Sequence, residues 1–587
     1  MNPSYLSMAL PSVWGKFYGQ CAIVALPCLA SFFCGLLLTA GANAFQASPI
    51  FHEVAESAGL AFSHDNGQSG SLWLPEITGS GGAIFDFDRD GDLDIYIVQG
   101  GALESEGVMG ASGDHSRTDQ LFENLLIPTG QFHFQNVTEC SRLKSGGYGM
   151  GVATGDFDND GWTDLYLTSL RSNRLYRNLG DGTFADVTES AGVDDQRWST
   201  SASFLDFDRD GYLDLFLTNY VKFDFNQNRK CYSPASSRDY CGPTAFEPET
   251  DRLWRNQGDG TFVDVTQEAQ IEGPGAGLGV SVSDYNRDGW LDIYVANDGM
   301  ANRLWINHDG KFSDEALLAG VALNEMGRAE AGMGVDNGDF DRDGDDDLLL
   351  AHLRGETNTI YVNDGKGVFE DRTSSTGIGI PSLPMTGFGA GWIDFDNDGW
   401  LDALVVNGEV RINPEQRAAG SEHPLAQGNQ LFRNLGDGTL TEVSRQAGPE
   451  FTHPWVSRGA AFGDLDNDGD MDVLVTNNRG PAQLFLNQIG QSRNWIGVEV
   501  LETSTRPALG AQVEIIAAGQ PTSWRIIGSD GSYCSANDPR VVMGLGQAGE
   551  PVDLRITWVD GGQELWKAVA VNRHVKLMRG QGSRTEN

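Results

Sequence analysis

Histidine and cysteine are scarce in this chain, at nine and seven of 587 residues, and the histidines are scattered. Neither H-E-x-x-H nor G-x-S-x-G occurs, which removes the zinc-protease and serine-hydrolase signatures. Basic residues are outnumbered too, 40 Lys and Arg against 82 Asp and Glu, a formal net charge of −42. That balance argues against nucleic acid and against an anionic membrane surface as partners.

Three of the cysteines, Cys21, Cys28 and Cys34, sit in an apolar N-terminal stretch without a convincing lipobox. Lys16, the apolar run 21–41 and Ala42-Asn43-Ala44 have the layout of a signal peptide, residues 1–44, cleaved after Ala44. The run is also long enough to serve as an uncleaved anchor, the one route to a membrane that the sequence offers. The chain is therefore expected to be exported: secreted, periplasmic or at the cell surface. Export permits a disulfide between Cys231 and Cys241, which bracket CYSPASSRDYCGP, while Cys140 and Cys534 are expected as buried free thiols.

What the chain has in abundance is a repeat. The nine-residue pattern D-x-[DN]-x-D-G-x-x-D occurs seven times, each copy running into a strand-like apolar stretch. Positions 1, 3, 5 and 9 of each copy are the expected side-chain ligands. They are Asp86, Asp88, Asp90 and Asp94; Asp156, Asp158, Asp160 and Asp164; Asp206, Asp208, Asp210 and Asp214; Asp284, Asn286, Asp288 and Asp292; Asp339, Asp341, Asp343 and Asp347; Asp394, Asp396, Asp398 and Asp402; and Asp464, Asp466, Asp468 and Asp472. Hard oxygen ligands carrying several negative charges suit Ca²⁺, up to seven ions here, with the position-7 carbonyl as a backbone ligand. Gly91 and its equivalents supply the left-handed turn.

An EF-hand begins in the same way but needs a Glu at position 12, where this chain has Ile97, Leu167, Leu217, Val295, Leu350, Val405 and Val475. The residues after each loop are β-branched and aromatic, so each loop joins strand to strand. A small-residue strand such as GYGMGVATG precedes each loop, as suits backbones crowded at a propeller axis. An L-[FWY]-x-N turn and an F-x-[DEN] strand follow. Both occur seven times in shifted register, FHEVAESAGL (51–60) preceding the first loop and LFLNQIG (484–490) lacking a partner after it. The expectation is an all-β chain: a seven-bladed β-propeller over 50–490, closed by the N-terminal strand joining the blade of Asp464. The 75 glycines fit its many hairpins.

After Gln488 the calcium pattern stops, and strand-like segments over 494–581 suggest a small independent β-sandwich-like domain, with 582–587 as a tail. The repeats resemble FG-GAP/VCBS repeats. ALGAQVEI (508–515), GSDGSYCSANDPRVVMGLG (528–546) and LRITWVDGGQ (554–563) resemble an ASPIC/UnbV domain. Together they are similar to the cartilage-acidic-protein-1 family, with Cys534 standing where an aliphatic residue is expected. The chain ends at Asn587 without the cysteine-rich EGF-like module of animal members, which points to a bacterial-type member.

The resemblance implies an exported calcium-binding scaffold or adhesion-type protein that meets a protein or glycan at the cell surface. The alternative it implies is a propeller-based enzyme or an accessory protein of a natural-product pathway. For an enzyme the only residues worth testing are His352 and Glu409, at strand ends in successive repeats. For a scaffold, the segments that break the repeat period, 100–118, 222–249 and 408–427, are the expected partner surface.

Overall fold

The computed structural model describes residues 48–584 except 104–117, 145–146, 228, 234–235, 413–415, 417, 421–423, 504 and 517–522. Segment 1–44 and most of the first insert therefore lie outside the described residues.

Seven four-stranded antiparallel sheets form the first and larger part of the described chain. Blade 1 runs Gly82–Phe85, Asp94–Ile97, Gln120–Asn124 and Phe134–Asn136. Blade 2 comprises Tyr148–Gly155, Asp164–Leu170, Arg174–Asn178 and Phe184–Asp186, and blade 3 Ser199–Leu205, Asp214–Asn219, Arg252–Asn256 and Phe262–Asp264. Blades 4, 5 and 6 begin with Gly277–Ser283, Val335–Gly338 and Gly387–Ile393 and repeat the order. Blade 7 has only three strands of its own, Ser457–Gly463, Asp472–Asn477 and Gln483–Asn487. Its fourth is Phe51–Glu53, paired Phe51 to Asn487 and Glu53 to Phe485. This closure leaves the ring no unpaired terminal blade, and the first strands touch in order from blade 1 to blade 7 and back to blade 1.

Small residues make that close approach possible. A Cβ on Gly334 of blade 5 would lie 2.1 Å from the Phe388 carbonyl oxygen of blade 6. The acidic loops all join first to second strands and so share one rim. The described residues of the inserts 222–249 and 408–427 lie between second and third strands and so at the opposite rim.

The C-terminal region folds as a three-stranded sheet, Val541–Gly546, Asn494–Leu501 and His574–Met578, and a five-stranded one. The latter holds Gln512–Ile516, Ser523–Ile526, Val552–Thr557 and Gln563–Val569, and its edge strand Ser583–Arg584 recruits residues expected as a tail. Two packed sheets fit a sandwich-like unit, but its independence is a correction. Ile496, Val513, Leu554 and Trp558 share one buried core with Phe157, Leu213, Leu215 and Phe262 of blades 2 and 3.

Segment 528–540 leaves the sandwich and enters the propeller axis, where it meets every blade. Ala536 bridges Ala83 of blade 1 and Ser532 bridges Val335 of blade 5. Ser529 donates to the Thr154 carbonyl of blade 2, the Cys534 amide donates to Ser201 of blade 3, and the Val282 amide of blade 4 donates to Asp530. Tyr533 packs edge-on against Phe388 of blade 6 at 4.9 Å, and the Phe462 amide of blade 7 donates to Asn537. A Cβ on Gly81 would lie 1.8 Å from the Cys534 carbonyl oxygen, so only glycine admits this pin. Cys534 is a buried thiol within it; Cys140, expected buried, is exposed.

Candidate metal centres and the covered face

Each acidic loop is shaped by two left-handed residues. Position 4 has φ between 52° and 61° in all seven copies, from Arg89 to Asn467, and the position-6 glycine has φ from 88° to 100°. The tight turn folds the position-6 amide back onto the first carboxylate, as in Gly161 to Asp156 Oδ2 at 2.8 Å. The position-9 carboxylate sits at the base of the loop: Asp164 accepts from the amides of Phe157 and Asn178 at 3.1 and 2.7 Å.

The side chains converge as their alternation requires. Carboxylate oxygens of Asp86, Asp88 and Asp90 lie within 4.8 Å of one another. The same holds for Asp156, Asp158 and Asp164; Asp206, Asp208 and Asp210; Asp339, Asp341 and Asp347; and Asp394, Asp396 and Asp402. In the fourth loop Asp284 and Asp288 are brought together by the same turn, and in the seventh His574 meets Asp464 at 2.8 Å.

Burial, reinforced by neighbouring carboxylates, makes these groups hard to ionise without a cation. It pushes Asp86, Asp339 and Asp394 up to about 7 and Asp156, Asp206 and Asp284 up to about 6. All seven position-9 carboxyls are raised well above the usual range, burial again the largest cause. Several buried oxygens accept no hydrogen bond at all: Asp86 Oδ1, Asp90 Oδ2, Asp208 Oδ1, Asp339 Oδ2 and Asp466 Oδ1. Unpaired buried carboxylate oxygens are costly, and a hard divalent cation with oxygen ligands fits this donor set.

The L-[FWY]-x-N asparagine plays a part that its sequence pattern alone does not reveal. Asn178, Asn256, Asn307, Asn363 and Asn434 each donate through Nδ2 to the position-2 carbonyl of the preceding blade's loop, at Phe87, Phe157, Phe207, Tyr285 and Phe340. Asn487 reaches Phe395 in the same way, and Asn124 reaches Leu465, which closes the circle of loops. Position 4 adds further ties: Arg209 stacks on Trp290 at 3.9 Å, and Asn467 donates to the Gly91 carbonyl at 3.2 Å. Replacing Asn256 by Ala strands the buried Phe157 and Leu213 carbonyls, and should cost about 2–4 kcal/mol in urea melts. A loss below about 0.5 kcal/mol would discard the staple.

The loop rim is covered by the chain's own C-terminal domain. The Arg506 guanidinium pulls the burial-raised Asp156 and Asp206 back down, Arg525 does so for Asp339 and Asp394, and Arg540 for Asp86. Arg540 also donates to the Asp464 carbonyl and to Asn467. Basic residues of one unit thus face the acidic loops of the other.

At the opposite rim the inserts are packed down. Cys231 and Cys241 are disulfide-bonded. Tyr240 donates to Glu76, Arg238 to the Ser71 carbonyl, and the Ile412 amide of the third insert donates to Asp239. Phe225, Tyr240 and Cys241 are buried with Trp198, Tyr220 and Leu278 under this surface. Among the described residues no hydrogen bond or ion pair joins His352 to Glu409. His352 is 2% exposed and neutral, lowered to about 4 by burial, with its amide on Asn358 and its ring 3.9 Å from Glu330. Glu409 caps the amides of Val410 and Arg411 and accepts from Thr386. Among the described residues no helix is long and apolar enough to cross a membrane.

Comparison with known proteins matches this architecture. The FG-GAP-like repeat family matches residues 156–217, 244–295, 284–350, 339–405 and 419–475, and the ASPIC and UnbV family matches 501–584. Cartilage acidic protein 1 of Mus musculus and of Homo sapiens are each 29% identical over 333 residues, 54% of this chain and 48% and 46% of theirs. The chain thus spans about half the length of the curated relatives it matches. Among solved structures, an Agrocybe aegerita lectin specific for non-reducing terminal N-acetylglucosamine superposes with a TM-score of 0.36 at 15% identity, covering 64% of this chain and 85% of that one. BBS1N in complex with ARL6DN gives 0.38 at 9%, covering 73% and 98%. The chain is an FG-GAP repeat propeller carrying a C-terminal ASPIC and UnbV domain, similar to cartilage acidic protein 1.

Proposed function

We propose that this protein is an exported, calcium-stabilised scaffold that binds a protein or glycan through the rim opposite its acidic loops. The carrying observation is the repeated cluster of buried, mutually repelling carboxylates with unpaired oxygens. Calcium bound there would neutralise the cluster and crosslink each loop. The chain's own residues supply the rest: the asparagine staples hold the loops in register, and the C-terminal domain covers that rim. The disulfide fits an oxidising compartment.

With one rim covered, partners are left the other, where the inserts supply exposed groups on a rigid ring. Tyr232 stands 61% exposed beside the disulfide, and a groove of about 590 Å³ between blades 4 and 6 displays Met326 and Ile380 beside Glu325 and Glu356. Deleting 222–249 would also strip Phe225 and Tyr240 from the core, so a surface substitution is the cleaner probe. Tyr232→Ala should weaken capture of an envelope protein or glycan about 30-fold, the loss of an aromatic anchor, with an unchanged melting temperature. Crosslinks to a captured partner that fall on the C-terminal domain instead would reject the assignment of the face.

A further inference from the structure

The seven repeats differ in the third residue of the L-[FWY]-x-N turn, Glu123, Arg177, Arg255, Ile306, Val362, Arg433 and Leu486, and where it is charged it lies beside the loop carboxylates. We propose that Arg177, and Arg433 together with Arg493, are built-in counter-cations that make the second and sixth loops weak calcium sites, leaving the metal demand of the ring to the first, third, fifth and seventh. This inference rests on the calcium reading of the loops.

In the second loop Arg177 lies 2.5 Å from Asp158 and 2.9 Å from Asp160, the position-3 and position-5 carboxylates. In the sixth, Arg433 lies 2.6 Å from Asp396 and 3.4 Å from Asp398. Arg493, from the start of the C-terminal region, adds contacts of 2.7 and 3.2 Å to the same pair. A guanidinium there satisfies the oxygens that would otherwise face a metal ion, and repels the ion.

The unpaired oxygens follow the same division. Among the described residues, unpaired buried carboxylate oxygens occur in loops one, three, five and seven, at Asp86, Asp90, Asp92, Asp208, Asp339, Asp345, Asp466 and Asp470, whereas in the second and sixth loops only the amide oxygens of Asn159 and Asn397 are unpaired. In the third loop Arg255 takes the equivalent place, yet Asp208 keeps an unpaired oxygen. The fourth loop has one carboxylate fewer, and the Asn286 amide donates to Asp288 at 3.1 Å. The first loop is the opposite extreme: Glu123 adds a further carboxylate beside Asp88 and Asp90. Ligand charge is a main determinant of calcium affinity, so these differences grade the sites.

The test is calorimetric titration of the metal-free full chain with calcium chloride, comparing wild type, Arg177→Gln and Arg433→Gln/Arg493→Gln. Each variant should convert one site of the weak class to roughly tenfold tighter binding. Its melting temperature should fall in chelator and recover to the wild-type value in saturating calcium. A merely structural arginine would lower both temperatures and leave the titration unmoved, which overturns the proposal. So does one uniform class of sites that neither variant changes, the calcium reading itself surviving. A wild-type chain that takes up no calcium overturns both.

Discussion

Stripping calcium from the full chain at pH 7.5 should lower its melting temperature by about 10 °C, given about 2.7 kcal/mol from each of several sites at 100-fold excess over Kd. At pH 5 the same treatment should change it far less. The sign follows from the carboxylates. In the metal-free fold Asp86, Asp339 and Asp394 titrate at about 7 and Asp156, Asp206 and Asp284 at about 6, while an unfolded Asp titrates near 3.9. Between those values the folded chain holds more protons than the unfolded one, so its stability is fully present below about pH 4 and is lost as pH rises through 6 to 7. Metal-free protein should therefore melt higher at pH 5 than at pH 7.5. Calcium should reverse the order, because a bound ion would replace the protons at neutral pH and be displaced by them in acid. Calorimetry in chelator and in calcium at both values checks it, and identical melting in all four conditions would remove the metal from the account.

Ending the chain after Arg493 should abolish a soluble, cooperatively folded propeller. The C-terminal region is no appendage: segment 528–540 touches all seven blades, and its sandwich shares a core with blades 2 and 3. Truncation would open the axis around Ala83 and Val335, expose Phe157 and Leu215, and leave the acidic rim without Arg506, Arg525 and Arg540. The full chain should accordingly unfold in one calorimetric transition. Two separable transitions, with the truncated propeller melting where the full chain does, would restore an independent C-terminal domain.

The candidate metal residues were legible because loop chemistry is local: alternating carboxylates in a turn held by glycine can point only a few ways, and nine residues carry the whole pattern. The asparagine staples were half legible. Their seven-fold recurrence is plain in the chain, but their acceptors lie 78 to 100 residues upstream for Asn178, Asn256, Asn307, Asn363, Asn434 and Asn487, and 341 residues downstream for Asn124. Cys140 was misjudged because composition says thiols are buried, whereas its short helix, Thr138–Ser141, lies on the surface. His352 and Glu409 share a strand-end position in successive blades, yet each is held by its own neighbours, His352 by Asn358 and Glu409 by Thr386, Val410 and Arg411.

By itself the sequence determined the repeat, its strand-to-strand loops, the count of seven and the offset that brings Phe51–Glu53 beside Gln483–Asn487, since period and strand pairing follow from short-range pattern. Only the tertiary structure decided what fills the axis, which rim the C-terminal domain covers and which carboxylates meet an arginine. Those outcomes depend on where segments distant in sequence meet once the ring has closed, and local alternation carries no information about that.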